Sequence, residues 1–272
     1  MATQMDSAEE PISFPQKRLQ ATYTAGARLL AEVPDWEPEP LAAAIAVEAY
    51  RWAWRPECLK IILIAESHIY TSADDLALSA NTNQLSAASR DAVRLGPQQF
   101  ARIIYCLGYG EPELLAGSPS RRNAGTRQFW DLFGRLAGTG LQPRKGDGHN
   151  LAQRLQWKIS TLQRLQKLGI WVLDASVHAI YAPGGQRLPD RLKLALHRHW
   201  WEDYGSFLLA EQAAEIWIIG KTVADTFARL GVSFAGWIYQ PGAGRSPKID
   251  LNFGWEALLA RIAATSSFSA PP

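Results

Sequence analysis

Short apolar runs alternate with segments of helical character along most of this chain. The runs are rich in β-branched residues, which favours buried strands, and they cover 59–65 (LKIILIA), 170–175 (IWVLDA), 215–219 (EIWII) and 235–240 (AGWIYQ). Helices are predicted around and between them, at 41–54, 97–107, 126–137, 151–168, 189–213, 221–230 and 253–264. This order predicts an α/β fold, a three-layer sandwich in which helices flank a central, mostly parallel four-stranded sheet.

The first 20 residues differ from the rest of the chain. They combine two prolines with several charges, so we expect a loose N-terminal segment over 1–20. The remainder, 21–272, contains no internal repeat and no low-complexity segment. We therefore expect a single α/β domain there.

Composition excludes several classes of protein. Hydrophobic residues make up 47% and charged residues 20% of the 272 residues, as in ordinary globular proteins. The two cysteines, Cys58 and Cys106, cannot form a disulfide framework or a four-cysteine metal site. No run of 18 apolar residues and no apolar leader is found, so we expect a cytoplasmic protein without a membrane span.

Charge is unevenly distributed although the net charge is only +2. The segment 141–200 holds ten Lys and Arg residues against three acidic residues. Such a segment is suited to face a polyanion such as a nucleic acid. A solvated helix face is the alternative interpretation.

Polar clusters follow each predicted strand. In a parallel sheet the carboxyl ends of the strands share one edge, where ligands bind. The clusters are Glu66-Ser67-His68, Asp174 to His178, Gly220-Lys221-Thr222, and Gln240 to Arg245. We expect them to meet at that edge.

The first two clusters offer acid–base chemistry. Glu66 is suited to activate a water molecule, and Ser67 is a candidate nucleophile, although the adjacent His68 points away from it on an extended chain. Asp174 is suited to bind a ligand edge or to act as a base with a raised pKa. The alternatives are a polar turn capping a helix at 66–68 and an Asx-type turn at Asp174.

The last cluster resembles a phosphate-binding loop. Gly242 and Gly244 permit close approach of a phosphate or sugar to the backbone, and Arg245 and Lys248 are suited to pair with phosphates. An ordinary loop with a surface arginine is the alternative.

These clusters, in this order over about 59–262, resemble the uracil-DNA glycosylase superfamily. Ala65 to Tyr70 is similar to that family's water-activating loop, and GIWVLDASVHAI is similar to its base-reading strand. HRHWWEDYGSF, Gly220 to Ala224, and Gln240 to Arg245 follow in the family's order. The family's iron–sulfur branches need four cysteines, so they are excluded here.

The resemblance implies a DNA glycosylase that removes a damaged or deaminated base, such as uracil or hypoxanthine, by hydrolysis of the N-glycosidic bond. It implies catalytic positions at Glu66, Ser67 and Gln240, and base-binding positions at Asp174, Tyr70 and His68. DNA is the implied partner, and we expect a monomer that needs no metal or organic cofactor.

The chain departs from the family at three of these positions. Ser67 replaces the water-activating Asp or Asn, Gln240 replaces a His, and Asp174 replaces an Asn that both donates and accepts hydrogen bonds. Two alternatives therefore stay open. One is a catalytically silent DNA-binding protein of the same fold, and the other is a small-molecule hydrolase that uses Ser67 with His178 or His68.

Overall fold

A four-stranded parallel sheet forms the centre of the protein in the computed structural model. The strands are β1 (Ile61–Ala65), β2 (Ile170–Asp174), β3 (Glu215–Ile219) and β4 (Gly236–Ile238). They lie in the order β2-β1-β3-β4, and every neighbouring pair is parallel. The structure describes residues 14–83, 85–120, 122–181, 187–210, 214–241, 250 and 252–267.

Helices flank this sheet, so the predicted three-layer α/β architecture is confirmed. In chain order they are α1 (Gln16–Leu30), α2 (Leu41–Ala53), α3 (Ala73–Leu76), α4 (Ala87–Arg94), α5 (Arg127–Ala137), α6 (Leu151–Leu168), α7 (Asp190–His199), α8 (Ser206–Leu209), α9 (Lys221–Arg229) and α10 (Trp255–Ser267). A π-helical segment, Trp200–Gly205, joins α7 to α8. No helix within the described ranges has the length and apolar character needed to cross a membrane.

The apolar runs form strands because both faces of the sheet are covered. All residues of β1 and β2 are buried, which explains why their sequences show no alternation of apolar and polar positions. Helix α6 packs against β2 and α5, and it ends at Gly169, whose φ of 72° is the left-handed conformation that favours glycine. The main apolar core extends from Leu19 on α1 to Ile262 on α10.

The helix predicted over 97–107 is wrong. Every residue from Phe100 to Tyr109 is buried, whereas an amphipathic surface helix would keep one face in water. The segment instead forms irregular turns held by tertiary bonds. The backbone N–H of Arg102 donates to the Thr71 hydroxyl at 2.9 Å, and the Tyr105 hydroxyl accepts from the backbone of Val172 at 2.9 Å.

The boundary expected at residue 20, between the loose N-terminal segment and the α/β domain, lies too late in the chain. Helix α1 begins at Gln16, and Leu19 is completely buried in the core. Residues 1–13 lie outside the described residues.

Sheet register sets the position of the site. Ala65 at the end of β1 lies beside Asp174 at the end of β2, and Ile219 lies beside Ile238 at the ends of β3 and β4. The residues that follow these strands therefore emerge at one edge of the sheet.

Candidate functional site

A cavity of about 230 Å³ opens at the carboxyl edge of the sheet. Five of the residues proposed from the sequence line it: Glu66, Ser67, His68, Asp174 and Gln240. They come from the segments that follow β1, β2 and β4, so the structure brings these three clusters together as the topology predicts.

Asp174 lines the cavity at the end of β2. Its Oδ2 atom accepts a hydrogen bond from Nη2 of Arg51 on α2, and it lies 3.2 Å from Nδ1 of His68. Arg51 also pairs with Glu48, one turn earlier on the same helix. These side chains are all almost completely buried.

His68 is held between two carboxylates. Its Nε2 atom lies 2.5 Å from Oε1 of Glu39, opposite the contact that Nδ1 makes with Asp174. Glu39 precedes α2 and also accepts hydrogen bonds from the backbone N–H groups of Ala179 and Thr71. We call the row Glu48–Arg51–Asp174–His68–Glu39 the buried ion chain.

The buried ion chain fixes two protonation states. Burial alone lowers the pKa of His68, but the neighbouring Glu39 and Asp174 carboxylates outweigh this effect and raise it to about 9. Burial raises the pKa of Asp174, but Arg51 and His68 outweigh this and hold it below its usual value. At neutral pH the cavity is therefore lined by an imidazolium and a carboxylate, and the alternative of Asp174 as a base with a raised pKa is wrong.

Glu66 also lines the cavity, and a separate set of side chains holds its carboxylate. Its carboxylate accepts a hydrogen bond from the Tyr181 hydroxyl at 2.9 Å and from Nη2 of Arg187 at 2.9 Å. The Lys193 ammonium lies 3.6 Å away and pairs with Asp190 at 2.8 Å. Glu66 is therefore oriented by these partners, and its Oε2 atom has room for one further donor.

Ser67 has no catalytic partner among the described residues. Its hydroxyl donates to the carbonyl of His68 at 3.1 Å and lies 3.5 Å from the backbone N–H of Ile180. The His68 ring is bound by Glu39 and Asp174, and Nε2 of His178 contacts the Tyr23 carbonyl at 3.0 Å. The geometry therefore gives Ser67 no base, which argues against a serine hydrolase.

Aromatic and amide side chains complete the cavity. Phe129 on α5 is half-buried, and the remaining aromatic lining residues are Tyr105, Tyr109 and Tyr181. Gln128 and Gln240 supply amides that donate and accept hydrogen bonds. Tyr70, the residue expected to stack on a bound base, is half-buried and does not line this cavity.

The predicted phosphate-binding residues are not placed. Gly242, Gly244, Arg245 and Lys248 lie outside the described residues, so their proposed role stays a prediction.

Part of the basic segment 141–200 is unavailable for phosphates. Arg154 and Lys158 are buried and pair with Glu111 at 2.8 Å each. Lys145 pairs with Glu113 at 2.7 Å, whereas Arg164 and Lys167 on α6 are exposed. The expectation that this segment faces a polyanion is therefore wrong for the buried Arg154 and Lys158.

No protein-family model matches this chain, and a search of curated proteins finds no match. The functional assignment therefore depends on the geometry of the cavity. Within the described ranges, no group of three or more His, Cys, Asp or Glu side chains is arranged to hold a metal ion.

The sequence analysis did not identify the cavity and ion-chain residues that come from elements other than the strand ends. Glu48 and Arg51 carried a signal, since two charges in the otherwise apolar helix LAAAIAVEAYRWA need buried partners. Glu39, Arg102 and Phe129 carried no such signal, because their segments reach the cavity only through the tertiary fold.

Proposed function

We propose that this protein is a DNA glycosylase-like enzyme that hydrolyses the N-glycosidic bond of a damaged base held in the cavity. The observation that supports the proposal is the meeting of Glu66, Asp174 and Gln240 in one cavity with an aromatic wall. Enzymes that act on a base extrude it into a pocket, stack it on apolar or aromatic side chains and bind its edge by hydrogen bonds. The cavity offers all of these contacts.

Each lining residue has a role in the proposed reaction. Asp174 accepts hydrogen bonds from the base edge, and the Gln240 amide binds the base as it departs. Glu66 orients a water molecule and accepts its proton while the water oxygen bonds to C1′. The bond between C1′ and the base nitrogen breaks, and its electron pair leaves with the base.

The proposal also includes the partner, the location, the oligomeric state and the cofactor requirement expected from the sequence. The enzyme acts on DNA as a cytoplasmic monomer without a metal or organic cofactor. Arg245 and Lys248 bind phosphates, and Gly242 and Gly244 let the loop backbone approach them.

A catalytically silent DNA-binding protein is the second candidate. The observation that favours it is the pairing of Glu66, whose two oxygens already contact Arg187 and Tyr181. A carboxylate whose oxygens already accept these hydrogen bonds has fewer lone pairs left to orient a water molecule. This candidate binds DNA and releases no base.

Labelled oligonucleotides carrying uracil, hypoxanthine, xanthine or mismatched thymine, single- and double-stranded, test the proposal. Alkali converts each abasic site into a strand break. We expect breaks with the wild-type protein and a loss of about 100-fold or more in rate for Glu66→Gln. Glu57→Gln is the matched control, because Glu57 is exposed and precedes β1 at the opposite edge of the sheet.

The outcomes separate the candidates. Breaks that depend on Glu66 support the glycosylase. Binding in a gel shift without breaks on any substrate supports the silent binder. Absence of both contradicts a role on DNA.

A further inference from the structure

A second cavity, of about 470 Å³, adjoins the first at the same edge of the sheet. Gln128 on α5 and Gln240 after β4 line both cavities, so the two spaces meet at this pair of amides. We call the second cavity the side groove, and its other lining residues include Arg135, Tyr239 and Trp255. A molecule whose base fills the first cavity therefore has room for a further group in the side groove.

Arg135 and Trp255 form a flat platform in the side groove. The guanidinium carbon of Arg135 lies 4.1 Å from the centre of the Trp255 ring, which is a stacking distance for these two groups. Trp255 is buried and Arg135 is exposed, so the guanidinium lies between the indole and the solvent. Tyr239 adds a half-buried aromatic ring to the same groove.

The charged lining of the side groove is balanced, so net charge does not select its ligand. It consists of Arg135 and Asp131 among the described residues. Asp131 is engaged elsewhere: Oδ1 accepts a hydrogen bond from the backbone N–H of Gln142 at 3.1 Å, and Oδ2 lies 3.5 Å from Nε of Arg127. In the part of the chain that the structure describes, no carboxylate pairs with Arg135, whose guanidinium is therefore available to a ligand.

A nucleobase matches these surfaces. Bases of every identity stack on aromatic rings and on arginine guanidinium planes, because each base has a π-face. In a strand whose damaged base occupies the first cavity, the neighbouring nucleotide is the nearest group that can reach the side groove. The groove adjoins the first cavity at the Gln128–Gln240 pair, so we expect only one of the two neighbours to enter it.

We propose that the side groove binds the base of one nucleotide next to the extruded base, stacked on Arg135 beside Tyr239. This inference rests on the proposed glycosylase function and extends its substrate from a single damaged base to a base with one bound neighbour.

Binding of single-stranded oligonucleotides tests the inference without cleavage. Each probe carries a central 2′-fluorinated deoxyuridine or deoxyinosine, which resists hydrolysis because fluorine disfavours positive charge at C1′. A tetrahydrofuran residue then replaces the nucleotide on one side or the other, removing that base but keeping its phosphates. We expect fluorescence anisotropy to show about tenfold weaker binding for one of the two replacements and less than about twofold for the other. Equal effects on the two sides overturn the inference.

Variants of Arg135 assign the asymmetry to the side groove. This residue is exposed, so its replacement is compatible with folding. Arg135→Ala is expected to reduce the difference between the two sides to about threefold or less. Arg135→Lys is expected to do the same, because lysine keeps the charge but lacks the planar group that stacks.

Arg94→Ala is the matched control, since Arg94 is exposed at the end of α4 and lines neither cavity. It is expected to retain the full difference. An unchanged difference in Arg135→Ala removes the platform from recognition of the neighbouring base and contradicts the inference.

Base release distinguishes failure of this inference from failure of the proposed function. The same strands without fluorine are assayed for release of uracil or hypoxanthine. Asymmetric binding that depends on Arg135, without release of a base, supports the side groove and contradicts the glycosylase. Release of a base with equal effects of the two neighbours leaves the glycosylase intact and overturns the side groove. Absence of binding to every strand contradicts both.

Discussion

At the scale of single residues, the site depends on charges that are buried together. Isolation of a carboxylate such as Asp174 from water is costly unless partners compensate it. Arg51 and His68 supply that compensation and leave Asp174 ionised in the cavity lining. In the proposed function, the contacts that stabilise Asp174 also leave its carboxylate able to accept, but not to donate, hydrogen bonds from a base edge.

Asp174→Asn tests this dual role. The amide removes one charge from the buried ion chain but leaves Arg51 paired with Glu48 and His68 paired with Glu39, so we expect the free energy of unfolding to fall by about 1–3 kcal/mol. The amide also donates a hydrogen bond, so base preference is expected to shift toward uracil. Urea denaturation and competition with free bases measure the two effects.

Asp131→Asn is the control for this substitution. Asp131 is a partly exposed carboxylate on α5 that lies 3.5 Å from Arg127, and its replacement is expected to cost less than about 1 kcal/mol. A similar loss in both variants, or an unchanged base preference in Asp174→Asn, contradicts the assignment of Asp174.

The protonation of His68 makes the free energy of unfolding depend on pH between 6.5 and about 9. Its pKa is raised by Glu39 and Asp174 from 6.5 to about 9, so the stabilisation is fully present below pH 6.5. It is lost as the pH rises from 6.5 to about 9, because the imidazolium deprotonates between its carboxylates. We expect urea denaturation to show this loss in the wild-type protein but not in His68→Gln.

His199→Gln is the matched control for the pH profile, since His199 is partly exposed and pairs with Asp203 at 3.5 Å. This variant is expected to retain the wild-type loss of stability. Identical pH profiles for the wild type and His68→Gln would show that the imidazolium does not stabilise the fold.

At the scale of elements, the pattern of apolar positions predicts a helix or strand correctly where the burial of that element follows one pattern along its whole length. The strands and helices α5, α6 and α9 follow the predicted pattern closely. Residues 97–107 look helical in the sequence, but tertiary contacts bury every position from Phe100 onward and override the local preference.

The residues of the candidate site also divide into those that the sequence predicts and those that only the tertiary fold brings together. Residues at the carboxyl ends of strands, such as Glu66 just after β1 and Asp174 at the end of β2, were identified because parallel topology determines where they emerge. Arg51 and Phe129 reach the cavity from helices far away in the chain. Their side-chain contacts depend on packing that a linear pattern does not contain.

Helix packing beside the cavity is tested at Gly134 on α5. Alanine there is favoured by helix propensity, but its Cβ would lie 2.0 Å from the carbonyl oxygen of Gly140 and 2.8 Å from Trp157 on α6. We expect Gly134→Ala to lower the free energy of unfolding by about 1–3 kcal/mol through overpacking. Chemical denaturation measures this effect.

Gly146→Ala is the matched control, because no atom lies within 4 Å of the added Cβ. Its free energy of unfolding is expected to stay close to that of the wild type. Equal stability of the two variants would contradict the tight packing of α5 on α6.

At the scale of the whole molecule, one edge of the sheet concentrates the chemistry. Parallel strands bring the ends of β1, β2 and β4 together, and helices flank the remaining surfaces of the sheet. An extruded base can enter at this edge only if the DNA backbone is bound beside it. The proposed function therefore requires cations that contact phosphate near Gln240.

Arg245→Ala tests this requirement. We expect weaker DNA binding and a decrease of about 1 in the slope of log K against log salt concentration, since one phosphate contact is lost. Fluorescence anisotropy over a salt series measures both quantities. Arg229→Ala is the control, because Arg229 is exposed at the end of α9, away from the carboxyl edge, and an equal slope change there would contradict the loop assignment.

Mass-spectrometric identification of the bases released from DNA tests the central claim most directly. DNA treated separately with a deaminating and an alkylating agent is incubated with the wild-type protein and with Glu66→Gln. The proposed function predicts that the wild type releases a free base from at least one of these DNA samples and that Glu66→Gln releases about 100-fold less. If neither DNA yields a free base with the wild-type protein, the cavity does not serve a glycosylase.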